Sequence, residues 1–120
     1  MREEQMIETL KKLRSDSDSV QAVALISSDA MPLASDMPDG MTEELLSATA
    51  SSLIASGEKV AGELLRGDVE QVYLRGSFGD LVVVKVNDDV ILACAVDNQA
   101  KMGMTLLDVN RCAQKLAGII

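Results

Sequence analysis

The chain has 120 residues, with 19 acidic against 11 basic side chains and a formal net charge of −8. That length fits a single domain over residues 1–120, and so acidic a chain is poorly suited to nucleic-acid phosphates or to an anionic membrane surface. One Phe, one Tyr and no Trp leave few side chains for base stacking or for an aromatic pocket, so we expect an aliphatic core.

The first part of the chain predicts one helix followed by two strands. Apolar residues recur at helical spacing over Glu3–Arg14. A strand is predicted over Val20–Ser27, and a short second strand over Pro32–Ser35, where the proline suits a sheet edge. The amphipathic start shows neither a secretory signal nor a membrane-spanning run, so we expect a cytoplasmic protein with no membrane insertion.

The longest predicted helix runs over Met41–Leu65, with Thr42 as its N-cap. Its apolar residues recur at alternating spacings of four and three, which predicts a stripe facing the core. The stripe comprises Leu46, Ala50, Leu53, Gly57, Val60 and Leu64.

The opposite face of this helix carries small side chains where a solvated face usually carries charge. Two interpretations are open: another backbone approaches this face closely, or the face is simply small and exposed. Its residues are Ala48, Ser51, Ser52, Ala55, Lys59 and Gly62.

A three-stranded meander is predicted over Val69–Arg75, Leu81–Val86 and Val90–Val96, because β-branched runs alternate with turn residues. The second and third strands are apolar on both faces and should lie inside the sheet. In the first strand one face is apolar and the other polar, which favours a sheet edge. A final amphipathic helix begins at Met102, after the loop 97–100.

The element order is therefore α-β-β-α-β-β-β-α. This order predicts an α/β (α+β) fold with a single, mostly antiparallel five-stranded sheet that carries helices on both faces.

Catalytic chemistry has little support, since the chain lacks His, the usual base at neutral pH. Ser27-Ser28-Asp29 has no third member for a nucleophilic relay, and Asp88-Asp89 has ordinary turn composition. Cys94 and Cys112 lack metal-ligand spacing, so we expect buried free thiols. We expect no enzyme activity, metal or cofactor.

The element order over nearly the whole chain resembles the Roadblock/LC7 family, a profilin-like architecture. The resemblance is carried by Leu25–Asp29, Pro32–Ser35, the meander Gly67–Val96 and Asn98–Gly103, with the long small-residue helix between. At the first turn the family often has Asp-x-x-Gly, whereas this chain has Asp29-Ala30-Met31-Pro32. The resemblance implies a homodimeric module that regulates or scaffolds a Ras-like small GTPase.

Two other functions remain open at this point. One is a profilin- or PAS-like sensory domain that binds a small ligand, which the scarcity of aromatic residues disfavours. The other is a purely structural subunit of a larger assembly.

The half-polar edge strand and the small helix face together predict a homodimer. In an antiparallel twofold pair centred on Tyr73, Val72 faces Leu74 of the second copy and Gln71 faces Arg75. The predicted dimer interface is Gln71, Val72, Tyr73, Leu74, Arg75, Ser47, Ser51 and Ile54. The predicted surface for the GTPase is Ala48, Ser52, Ala55, Glu58, Lys59 and Gly62.

Overall fold

The computed structural model describes residues 1–99 and 101–120; Ala100, in the predicted loop before the last helix, lies outside them. The predicted element order is confirmed. The elements are α1 (Arg2–Asp16), β1 (Val20–Ser27), β2 (Pro32–Asp36), α2 (Glu43–Glu63), β3 (Gln71–Arg75), β4 (Asp80–Asn87), β5 (Val90–Val96) and α3 (Met102–Ile119).

The five strands form one sheet in the order β2-β1-β5-β4-β3, and all neighbours pair antiparallel. The apolar strands β4 and β5 lie inside the sheet, and the half-polar β3 lies at an edge, as predicted. The other edge is β2, where Pro32 has no backbone N–H to offer a further strand. Arg14 of α1 reaches over this edge, with its Nη1 3.3 Å from Oδ1 of Asp36.

Side chains alternate across the strands, so the sheet has a separate core on each face. On one face, Leu25, Val82 and Leu92 pack with residues of α1 and α3. On the other face, small and β-branched residues such as Ala24 and Val83 pack under α2. The predicted sheet with helices on both faces is confirmed.

Helix α2 is shorter than predicted at both ends, and each end has a local cause. At its start, the Oγ1 of Thr42 accepts a hydrogen bond from the backbone N–H of Leu45, at 3.3 Å. At its end, Leu65 adopts a left-handed conformation with φ of +56°, which stops the helical hydrogen-bond pattern.

Strand β3 is fastened to β4 by a side-chain hydrogen bond as well as by the backbone ladder. Tyr73 and Asp80 project on the α1/α3 side, where the Tyr73 hydroxyl donates to Oδ2 of Asp80 at 2.5 Å. The Asp80 side chain is buried, and its other carboxylate oxygen has no hydrogen-bond partner among residues 1–99 and 101–120. The hydrogen bond to Asp80, followed by desolvation and the Asp80 charge, raises the pKa of Tyr73, while Arg75 lowers it.

The Tyr73–Asp80 hydrogen bond predicts a shifted phenol titration. Because Tyr73 is the sole tyrosine, its near-ultraviolet absorbance reports one group, and we expect a midpoint above 10.0. Because the pKa of Tyr73 is raised in the folded state, the neutral hydroxyl and its hydrogen bond stabilise the fold below pH 10.0. This stabilisation is lost as the pH rises through the folded-state pKa of Tyr73. Asp80→Asn should move the midpoint back toward 10.0.

Asp88→Asn serves as the control for this titration, since Asp88 lies exposed in the β4–β5 turn. An equal midpoint in the wild type and the Asp80→Asn variant would contradict the assignment of the shift to Asp80.

Candidate interaction surface

Strand β3 is paired on one side only, which leaves a row of backbone N–H and C=O groups open along the sheet edge. Val72 and Leu74 project toward the α2 side, and Leu74 is 46% exposed. Gln71, Tyr73 and Arg75 project toward the other side. The structure therefore places the five predicted β3 interface residues on one open edge strand.

Helix α2 crosses its face of the sheet so that its first half lies over the inner strands and its second half reaches β3. The closest approach is at Gly57, where an added Cβ would lie 3.1 Å from Cγ2 of Val72 and 3.8 Å from the Val69 side chain. A larger residue at this position would have to displace Val72, so glycine allows the helix to lie directly against the edge strand.

Beyond Gly57 the apolar stripe of α2 continues past the part of the sheet that could cover it. Leu46, Ala50 and Ile54 are buried, but Val60 is 54% and Leu64 is 59% exposed. The prediction that Val60 and Leu64 belong to the core is therefore wrong for the subunit. They lie at the sheet edge because the strand that would extend the sheet beneath them is absent from the chain's own fold.

An open groove of about 510 Å³ lies between this half of α2 and the edge strand. Most of its lining is apolar, and β3 contributes Gln71, Val72 and Tyr73 to it. The lining includes Leu53, Gly57, Val60, Val69, Val72 and Tyr73, with Arg66 at one end. The groove therefore joins the open edge of the sheet to the uncovered part of the helix stripe.

Of the three α2 residues that were predicted at a dimer interface, two are covered within the subunit and the third is partly covered. Ser47 is 1% and Ile54 is 8% exposed, because both lie on the side of α2 that packs on the sheet. Ser51 is half-buried, and its Oγ, like that of Ser47, is buried without a hydrogen-bond partner. The prediction is therefore corrected for Ser47 and Ile54, which belong to the core of the subunit.

The predicted partner-binding residues lie on the outer surface of α2, where five of them form an exposed face of mostly small side chains: Ala48, Ser52, Ala55, Lys59 and Gly62. Glu58 differs from the other five. Its Oε1 lies 2.8 Å from Nζ of Lys85 on β4, so the side chain turns toward the sheet. The hydrogen bond to Glu58 is the main reason that the pKa of Lys85 is raised, while desolvation lowers it.

The apolar residues that lie beside the edge strand without being part of it were not predicted as part of an interface. Val60 and Leu64 were assigned to the right stripe, but a periodic pattern states only which face of a helix is apolar and not what covers it. One signal was available, because α2 has 21 residues and β3 has only five. This difference indicates that part of the helix is uncovered only once the sheet order shows that β3 is an edge strand.

The polar groups that were considered for catalysis or metal binding are engaged within the fold. Ser27 Oγ donates to the Asp29 carboxylate within the β1–β2 turn. Both cysteines are buried free thiols, as predicted, and burial raises the pKa of Cys112 to about 11.

Among residues 1–99 and 101–120 no cluster of His, Cys, Asp or Glu could hold a metal ion. The same residues include no helix that is both long and apolar enough to cross a bilayer.

Comparison with known proteins gives relatives over most of the chain. The uncharacterized protein MJ1340 of Methanocaldococcus jannaschii is 25% identical over 99 residues, which cover 82% of this chain and 86% of that protein. The solved structure of the gliding protein MglB from Thermus thermophilus superimposes with a TM-score of 0.90 at 20% identity, covering 99% of this chain and 90% of that one.

A more distant solved structure, Acanthamoeba castellanii profilin II, covers 91% of this chain and 94% of its own at 16% identity, with a TM-score of 0.65. The profilin-like architecture is thus confirmed, and at these identities the structural likeness concerns the fold alone. The family described as the Roadblock/LC7 domain matches residues 6–95. The chain therefore belongs to the Roadblock/LC7 domain family.

Proposed function

We propose that the protein is a non-catalytic, cytoplasmic homodimer whose paired α2 helices bind a Ras-like small GTPase as a regulator or scaffold. The observation that carries the proposal is the apolar groove between the open edge of β3 and the uncovered half of α2. Exposed apolar surface that adjoins an unpaired strand is costly in water and marks an interface.

The occupant of this groove, in our proposal, is a second copy of the chain. Antiparallel pairing of two β3 strands would satisfy the open backbone groups of both and continue the sheet across a twofold axis. With Tyr73 at the axis, Val72 meets Leu74 of the second copy on the α2 side, next to the groove. Gln71 then meets Arg75 on the other side, so apolar residues pair with apolar ones and polar with polar.

This pairing would also bring the two α2 helices together. The second halves of the helices lie nearest to the axis, because Gly57 and Val60 are the parts of α2 that reach β3. Val60 and Leu64 of each copy would then be covered by the other copy. The residues that fail to find a core within one subunit would form a shared core between two.

The outer faces of the paired helices would form the surface for the GTPase. Ala48, Ser52 and Ala55 are small and exposed, so a partner can approach the helix backbone closely. Glu44 lies exposed near the start of the same helix, which favours a partner whose matching patch is basic or apolar.

The chemistry of this face supports binding rather than direct catalysis. Arg66 lies beyond the end of α2 and lines the groove that the second copy would fill. It is therefore badly placed to act as an arginine finger on a partner bound at the outer face. The buried free thiols Cys94 and Cys112 suit the reducing cytoplasm in which small GTPases act.

The first prediction from this proposal concerns the assembly. We expect the wild-type chain to sediment as a dimer at micromolar concentration and Val60→Glu to shift it toward monomer. A carboxylate buried without a partner in the shared core costs about 3 kcal/mol or more, which corresponds to roughly a 100-fold weaker dimer. Val60 is 54% exposed in the subunit, so the fold itself should be unaffected.

Leu107→Glu is the matched control for this assembly test. Leu107 is 50% exposed but lies on α3, on the opposite face of the sheet. A wild-type chain that remains monomeric, or a Val60→Glu variant that dimerises like the wild type, would contradict the proposed assembly.

A second prediction concerns the GTPase. Ser52→Arg combined with Ala55→Glu should abolish capture of the GTPase while leaving the dimer intact, because both residues are exposed on the outer face. Immobilised protein is mixed with extracts of the source cells to which either GDP or a non-hydrolysable GTP analogue has been added. The guanine nucleotide that elutes with the captured proteins is then quantified. We expect nucleotide to be retained preferentially in one of the two states.

Gln114→Arg combined with Ala117→Glu is the control for the capture experiment. It places the same two side chains at the same spacing on the exposed surface of α3. If the α2 double variant captures as much nucleotide as the wild type, the α2 outer face is not the contact. If no nucleotide is captured in either state, the proposed GTPase partner is wrong, and the result favours a structural subunit.

A further inference from the structure

The chain's single phenylalanine is almost completely exposed. Phe78 stands at the tip of the β3–β4 hairpin with 98% of its side chain accessible. The tip is braced: the Gly76 N–H donates to the carbonyl of Gly79 at 3.0 Å, and Nδ2 of Asn98 donates to the carbonyl of Ser77 at 2.9 Å. These hydrogen bonds order the backbone of the tip, from which the aromatic ring projects into solvent.

A second apolar side chain is exposed at the end of α2, in a conformation that its residue type disfavours. The helix ends in a Schellman motif, in which Arg66 N–H donates to the carbonyl of Ala61 at 2.8 Å and Leu65 N–H to that of Gly62 at 3.3 Å. The left-handed position of this motif usually holds glycine, but here it holds Leu65, with φ of +56° and 90% of its side chain exposed. Within the subunit, Leu65 therefore combines an unfavourable backbone conformation with an exposed apolar side chain.

The geometry of an antiparallel twofold pair brings these two residues together. In the pairing centred on Tyr73, a residue that follows Tyr73 lies beside the residue that precedes it by the same number of positions in the second copy. Strand β3 ends at Arg75, which lies beside Gln71 of the second copy in this register. The hairpin tip that follows Arg75 in one copy therefore lies close to the α2–β3 connection that precedes Gln71 in the other, and Leu65 belongs to this connection.

We propose that Phe78 of each copy packs against Leu65 of the other and so closes both ends of the dimer interface; this inference rests on the homodimer of the proposed function. The connection that receives the ring is apolar on one side, since Val69 lines the groove together with Val60. Its last residue is held beside the sheet, because the carbonyl of Glu70 accepts from Lys85 N–H of β4 at 3.0 Å.

This pairing explains both anomalies at once. The exposed ring and the exposed leucine would bury each other, so each loses the water contact that the isolated subunit imposes on it. Leucine at this left-handed position supplies an apolar side chain for the contact, whereas glycine, the residue usually found there, would supply none. The hairpin tip would then act as a clamp that fixes the register of the paired β3 strands.

The test measures the dimer dissociation constant by sedimentation for the wild type, Phe78→Ser, Leu65→Gly and the double variant. We expect each single change to weaken the dimer about tenfold or more, because a buried apolar side chain is lost twice per dimer. The double variant should be little weaker than either single variant, since both changes remove the same contact. Met31→Ala, 58% exposed in the turn beside the far sheet edge, should have no effect.

Thermal unfolding of the monomer, at concentrations below the dissociation constant, separates a lost contact from a damaged fold. Leu65→Gly should leave the monomer as stable or make it more stable, because glycine adopts a positive φ freely. A wild type that dimerises with the same affinity as Phe78→Ser or as Leu65→Gly overturns the contact but leaves the homodimer standing. A wild type that stays monomeric overturns both.

Discussion

The close contact between α2 and the edge strand at Gly57 is the constraint on which the rest of the structure depends. Because no side chain separates helix and strand there, α2 can lie low over its face of the sheet from the inner strands to β3. The same path takes the second half of the helix beyond the last strand. The buried half, the exposed half and the groove beside β3 are therefore consequences of one helix orientation on a sheet that ends too early to cover it.

Much of this fold could be predicted from the sequence, because its signals are local. β-branched runs between turn residues predicted the three strands of the meander, and the half-polar pattern around Tyr73 placed β3 at an edge. The short β2 was predicted from the turn before it and from Pro32, which suits an edge position. The extent of burial along α2 could not be predicted in the same way. Leu46 and Val60 occupy the same stripe, yet the first is 6% and the second 54% exposed, because burial depends on which strand lies underneath. Periodicity determines which face of a helix is apolar, whereas the burial of that face depends on the tertiary structure.

The candidate site was predictable to the same degree. Its strand component follows from the residue pattern, but Ser47 and Ile54 were misassigned because they lie beside the predicted apolar stripe, on a flank of α2 that packs on the sheet. Phe78 and Leu65 gave no signal, since an aromatic residue near glycines is ordinary in a turn and a positive φ at leucine contradicts residue preference. Such features become visible only when backbone angles and exposure are known.

The two edges of the sheet are not equivalent, and this difference limits how the protein can associate. If β2 were as open as β3, edge-to-edge pairing would continue through successive subunits into an open-ended ribbon, the geometry from which fibrils grow. Pro32 and the Arg14–Asp36 contact at α1 make β2 a poor template for a further strand. A sheet with one open edge can pair with only one further sheet. The chain can therefore expose the unpaired strand β3 without being able to polymerise through its edges.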